Sequence, residues 1–150
     1  MMTSIPAGQP DLKQRATFKW WMTMPLRYQD LDTLGHVNNA AMPMFFEQAR
    51  TEFFEPLLRG KASTGLDTVI ARVVVDYLAE IHYPGCVDIG MTCTRIGNKA
   101  FTLAHGVFTK GTGHCVGTGE AVMLIFDLKA RKSIAIPAEV RAALSALSPA

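Results

Sequence analysis

The sequence predicts an α+β domain in which one long apolar helix lies on an antiparallel sheet. Two observations carry this reading. A stretch with apolar residues at three- and four-residue steps occupies positions 40–58, and the strand-like runs after it are joined by short turns rich in glycine and asparagine. Strands and helices do not alternate as a doubly wound nucleotide-binding sheet requires. At 150 residues the chain fits one domain, which can bury roughly 70% of its unfolded surface without staples.

The first fifteen residues, MMTSIPAGQPDLKQR, hold two prolines, a glycine and mixed charge but no apolar segment of the signal-peptide kind. Residues 1–16 are therefore expected to form a flexible leader and 17–150 the folded domain. Thr17 to Met24 (TFKWWMTM) is aromatic and β-rich and reads as the first strand. Pro25 and the polar run Arg27 to Asp32 then lead into a loop that closes at Gly35. Asn38 and Asn39 are good N-cap residues for a helix from about Ala40 to Leu58, and Pro43 is acceptable there only in the first turn.

Along that helix Met42, Phe45, Phe46, Ala49, Phe53 and Leu57 define a face to be buried, with Glu47, Arg50, Thr51 and Glu55 placed largely elsewhere. The surface receiving it is expected to be a sheet. Val69, Ala71, Val73, Val75, Tyr77, Ala79, Ile81 and Tyr83 form an apolar odd-numbered face, and Asp76, Glu80 and His82 fall on the other. Pro84 and Gly85 turn the chain. Strands follow at about Cys86–Ile96, Ala100–Thr109 and His114–Leu128, with hairpin chemistry from Gly97, Asn98, Gly111 and Gly113. A short strand near Ser133–Ile136 precedes Pro137, which opens a terminal helix over Ala138–Leu147.

Composition narrows the function classes. A formal charge of +2 creates no strong one-signed field, so nucleic acid is not an expected partner. The longest apolar stretch in a likely strand position, Ala121 to Phe126, is far short of the ~20 residues of a membrane-spanning helix, so no membrane association is expected. Cys86, Cys93 and Cys115 are odd in number and lack a CxxC pair, which argues against a disulfide framework or zinc knuckle and for a reducing cytoplasm. His82, His105 and His114 lack the spacing that would gather them on a metal; no metal is expected.

Arg27 to Arg50 reads RYQDLDTLGHVNNAAMPMFFEQAR, with two carboxylates, a glycine, a histidine and paired asparagines just before the helix. This segment resembles the 4-hydroxybenzoyl-CoA thioesterase-like branch of the hotdog acyl-CoA thioesterases, whose signature looks like RYxDxDxxGHVNNxxY followed by an FxExAR-like helix. Arg27, Tyr28, Asp30, Asp32, Gly35, His36, Val37, Asn38 and Asn39 match. VVVDYLAEIHYPGCVDI and GEAVMLIFDLKARKSIAIP are similar to the family's second strand and turn and to its closing strands, so the likeness spans most of Thr17 to Leu147. Met42 departs from it, where an aromatic residue is usual, and so does Ala100, where a serine is common.

The resemblance implies a hotdog fold, an antiparallel sheet wrapped around a long central helix, and hydrolysis of an acyl-CoA thioester. It implies that Asp32 faces the thioester carbonyl at a subunit interface with Asp30 in support, and that the backbone N–H of Asn39 binds the carbonyl oxygen. Helix-start chemistry agrees: unpaired N–H groups and a partial positive charge suit a developing oxyanion, where one donor is worth about 3 kcal/mol. Asp32 acts either as nucleophile, through a mixed anhydride, or as general base on a water. The thiol leaves without a strong general acid. Tyr28, His36 and Asn38 are read as substrate-binding residues, with His36 orienting Asp32.

The rival carboxylate, Glu47, is assigned to local helix contacts with Arg50 or Thr51. Cys93 and Cys115 are read as buried, unreactive thiols and the scattered lysines and arginines as a solvated face. No cofactor is required beyond the coenzyme A of the substrate itself. A single helix on one sheet leaves strand edges open, so a homodimer is expected, assembled as a dimer of dimers into a homotetramer. Rival activities are hydrolysis of acyl groups on acyl carrier protein and catalytically silent acyl-CoA binding.

Overall fold

A computed structural model describes residues 8–59 and 64–149. It has six strands, β1 (Trp20–Pro25), β2 (Leu66–Tyr77), β3 (Cys86–Ile96), β4 (Ala100–Thr109), β5 (Cys115–Asp127) and β6 (Lys132–Ile134). Two helices accompany them, α1 (Ala41–Phe54) and α2 (Ala138–Ala146). The strands form one antiparallel sheet in the order β1-β3-β4-β5-β2. β6 takes β4's side of β5 where β4 has ended, pairing Ile134 with Ile125. The expected α+β hotdog arrangement is what is found, with the sheet on α1.

β3 and β4 begin and end where the hairpin residues predict. α1 keeps helical hydrogen bonding to Phe54 and then widens into a π turn over Glu55–Arg59. Pro56 accounts for the change, because it has no N–H to donate and its ring clashes with a preceding carbonyl in a regular helix. Met42, Phe45, Phe46 and Ala49 are buried as expected, while Phe53 and Leu57 are only half-buried; Phe54 and Arg50, which the periodicity places elsewhere, are buried as well. The buried face of α1 is broader than the apolar stripe, and it takes in a cation.

Two glycines set how closely layers approach. Gly119 lies beneath α1, where a Cβ would stand 2.5 Å from the Phe46 ring and from the Val74 carbonyl oxygen. On the sheet's opposite face, a Cβ on Gly90 would stand 2.6 Å from the Phe18 ring. Of the residues read as a loose leader, 1–7 lie outside the described residues. Nearer the sheet, the Thr17 hydroxyl donates to the Asp11 carbonyl at 2.6 Å, and the Arg15 guanidinium lies 4.2 Å from the centre of the Trp21 ring and 3.3 Å from Asp88.

β2 departs most from expectation. The strand ends at Tyr77, and its register against β5 slips between Ile70 and Arg72. Directly opposed residues share a face. Thr68 and Ile70 oppose the core residues Ile125 and Met123; beyond the slip, Val73 and Val75 oppose Ala121 and Gly119. The helix-facing set is therefore Leu66, Thr68 and Ile70, then Val73, Val75 and Tyr77. Val69 points away and Ala71 is the extra bulge residue, which re-phases the strand. β2 is also an edge strand, and its helix-facing side chains are only half covered: Ile70 is 46% exposed and Tyr77 49%.

Candidate active site

The loop from Arg27 to Asn39 is held by its own polar groups. Asp30 is buried and accepts from the Arg27 backbone N–H at 2.8 Å and from the Arg27 guanidinium at 2.8 Å. Burial pushes the Asp30 carboxyl up, but the Arg27 hydrogen bonds and charge outweigh it and hold the group below the usual carboxylate range. The Asp30 carbonyl accepts the Asn38 N–H at 2.7 Å. Asp30 thus ties the entrance of the loop to its exit.

Between these anchors the chain doubles back. Asp32 N–H donates to the His36 carbonyl at 3.0 Å, Leu31 bridges Val37, and Gly35 turns at φ +87°, a conformation that costs glycine little. One Asp32 carboxylate oxygen accepts the Leu34 N–H at 2.8 Å; the other lies 3.8 Å from His36 Nδ1. The Asn38 side chain accepts the Ala40 N–H at 2.9 Å, so the asparagine turn forms one residue ahead of the helix. Asn39 gives its carbonyl to the Tyr77 hydroxyl at 2.8 Å, while its own N–H has no partner among the described residues.

A pocket of about 240 Å³ opens at this helix start, lined by His36, Val37, Asn38, Asn39, Met42 and the β2 exit from Tyr77 to Ile81. It brings together His36, Asn38 and Asn39. Asp32 does not line it and reaches it through His36. Tyr28 also lies outside, 74% exposed with its ring 6.1 Å from that of Tyr83. Glu80 joins the wall, 3.7 Å from His36 Nε2 and 3.4 Å from His82. Tyr77 and Glu80 are the site residues that sequence reasoning missed. Both lie about forty residues beyond the loop, and only the polar pair Glu80 and His82 at a strand end hinted at them.

The pattern of the Thioesterase-like superfamily matches residues 26–144. The chain belongs to this superfamily. The uncharacterized protein YsmA of Bacillus subtilis is 24% identical over 132 residues, 87% of this chain and 89% of YsmA. The PA5185 protein of Pseudomonas aeruginosa superposes with a TM-score of 0.83 at 25% identity, covering 91% of this chain and 96% of that one. A predicted thioesterase from Bacillus stearothermophilus superposes at 0.78 with 27% identity, covering 86% and 96%. Superfamily and neighbours alike point to thioester hydrolysis.

The superfamily reading leaves other groups aside. Burial pushes the Cys93 thiol up to about 11 and raises that of Cys115, so neither supplies a ready thiolate. Among the described residues no His, Cys, Asp or Glu group is arranged to hold a metal, and no helix is long and apolar enough to cross a membrane.

Proposed function

We propose that the protein hydrolyses an acyl-CoA thioester to a free acid and coenzyme A in the pocket at the start of α1. The observation that carries this is the unpartnered N–H of Asn39 at the pocket wall, beside a histidine in reach of Asp32. The thioester oxygen sits on that N–H, which gains strength as the oxygen becomes an anion. Asp32 lies beside the pocket wall behind His36, so the thioester carbonyl must extend past His36 to meet it. There either Asp32 attacks the carbonyl carbon and water opens the resulting anhydride, or Asp32 takes a proton from the attacking water. In both routes the carbon–sulfur bond breaks and sulfur leaves as thiolate, to be protonated by solvent.

His36 and Asn38 contact the substrate and His36 also orients Asp32; Tyr28 serves the exposed rim. The match of Arg27 to Asn39 supports membership of the 4-hydroxybenzoyl-CoA thioesterase-like branch. The uncovered edge of β2 supports a homodimer; pairing of dimers into a tetramer, work in the cytoplasm and independence of any cofactor beyond the coenzyme A of the substrate complete the proposal.

Purified wild type and Asp32→Asn are compared on aliphatic and aromatic acyl-CoAs by thiol release. Turnover that falls about 10³-fold in Asp32→Asn is expected. Retained turnover in that variant removes Asp32 from the chemistry. A folded wild type that releases thiol only from acyl carrier protein redirects the substrate, and tight acyl-CoA binding without any release makes this a silent binder.

A further inference from the structure

Arg50 is only 5% exposed, yet among the described residues it makes no hydrogen bond and no ion pair, and its Nη1 is sealed from solvent without a partner. Glu47, one turn earlier on α1, offsets part of the Arg50 charge without bonding it, and Nη1 still lacks a hydrogen-bond acceptor, so this position calls for an anion that bonds it. The adjoining core offers none. His105, fully buried and stacked on Phe46 with ring centres 4.8 Å apart, has both ring nitrogens unpartnered. Burial, and then the Arg50 charge, hold His105 well below its ordinary range, so it stays neutral.

Arg50 lines a second pocket of about 110 Å³ with Glu47, Thr51, Phe54, Thr68 and Ile70. At roughly 30 Å³ per water, this holds a carboxylate and a water or two. Arg59 on the rim is already engaged by Asp67 at 2.8 Å and Glu55 at 3.6 Å. Glu47 is exposed, so solvent weakens both its attraction for Arg50 and its repulsion of an entering anion. This leaves Arg50 as the receptor.

Both pockets lie between α1 and the helix-facing side of β2, one at each end. The eleven residues from Asn39 to Arg50 rise about 16 Å, and a helix side chain leans back toward the N-terminus by about a turn. The span left is on the order of 10 Å, the reach of a medium-length acyl chain. Val73 and Val75 flank that interval on β2.

We infer that Arg50 binds a carboxylate at the far end of the acyl group, so that the substrates are thioesters of medium-chain dicarboxylic acids. This deepens the hydrolase reading and rests on it. The test compares decanedioyl-CoA, carrying a free terminal carboxylate, with decanoyl-CoA in wild type, Arg50→Met and Arg50→Lys. Wild type should favour decanedioyl-CoA by 10- to 100-fold in kcat/KM, the span of one to two charge-assisted hydrogen bonds. The ratio should fall near unity in Arg50→Met and recover partly in Arg50→Lys. Because the methionine removes an unpaired buried charge, Arg50→Met should melt no lower than wild type in the absence of ligand.

Equal preference in wild type overturns the inference. So does a drop of several degrees in the melting temperature of Arg50→Met, or its dissociation into monomers, since Arg50 would then be satisfied by the fold or by a second copy. If wild type releases no thiol from any thioester, the hydrolase reading has failed, and the carboxylate site is judged by binding alone. Decanedioate but not decanoate should then raise the melting temperature of wild type and not of Arg50→Met. Equal response to a short free carboxylate such as acetate assigns the site to free anions and overturns the acyl-borne source.

Discussion

The two flanks of α1 are built from similar apolar residues and end in different states. Toward β3 and β4 the helix meets Val87, Ile89, Met91, Leu103 and Val107, all fully buried, with Gly119 beneath letting Phe46 settle onto the sheet. Toward β2, Ile70, Val73 and Tyr77 face the same helix and remain exposed to solvent. Strand position makes the difference, since a central strand is covered by neighbours and an edge strand is not. The closed flank carries stability, and the open one holds both pockets.

Variants on the two flanks should separate these roles. Gly119→Val, on the closed side, should destabilise most, by about 3 kcal/mol in urea titration, because a Cβ there meets a ring and a backbone carbonyl together. An unchanged midpoint would show that the Phe46 layer is loosely packed. Asp30→Asn should cost about 2 kcal/mol at neutral pH, the scale of a lost charged hydrogen bond.

The pH dependence of that loss has a definite sign. Asp30 titrates lower when folded than when unfolded, so its contribution is full above the unfolded value near ~3.9. It disappears as pH falls through the folded value. Wild type and Asp30→Asn should therefore differ constantly above about pH 5 and converge in acid; parallel curves down to pH 3 would remove Arg27 as the cause.

Tyr77→Phe, at the junction of the flanks, loses the hydroxyl on the Asn39 carbonyl and should lower kcat/KM about fivefold, the equivalent of a ~1 kcal/mol hydrogen bond. A neutral result would mean that the helix start holds its place unaided. Ile70→Lys, on the open side, should change the unfolding free energy of the isolated chain by no more than about 0.5 kcal/mol. Its expected effect is on assembly, read by sedimentation: an undisturbed oligomer would clear β2 as the pairing edge.

Much of this architecture was legible in the sequence because it depends on local pattern. The hairpin residues around Gly97 and Asn98 delimit β3 and β4, and Pro43 sits where a helix first turn tolerates it. The Arg27–Asn39 loop is short enough that its anchors and asparagine turn are near-neighbour events. What could not be read depends on distant partners. The slip at Ala71 is defined only against β5, so strict alternation gave the wrong residues for half of β2. Arg50 carried the signature of a solvent-facing cation, and only the width of the packed helix buries it. Glu80 reaches His36 across a separation that no spacing rule encodes.

The bond from the Tyr77 hydroxyl to the Asn39 carbonyl fastens the helix start to the outermost strand of the sheet. The residue proposed to meet the oxyanion through its N–H is thus held through its carbonyl to the open edge of β2. Were a second copy to pair on that edge and a thioester to bind at Asn39, as proposed, the two events would be thermodynamically linked, and linkage is reciprocal: a partner steadying the edge would tighten the grip on the carbonyl oxygen by the same factor that the thioester would tighten the assembly.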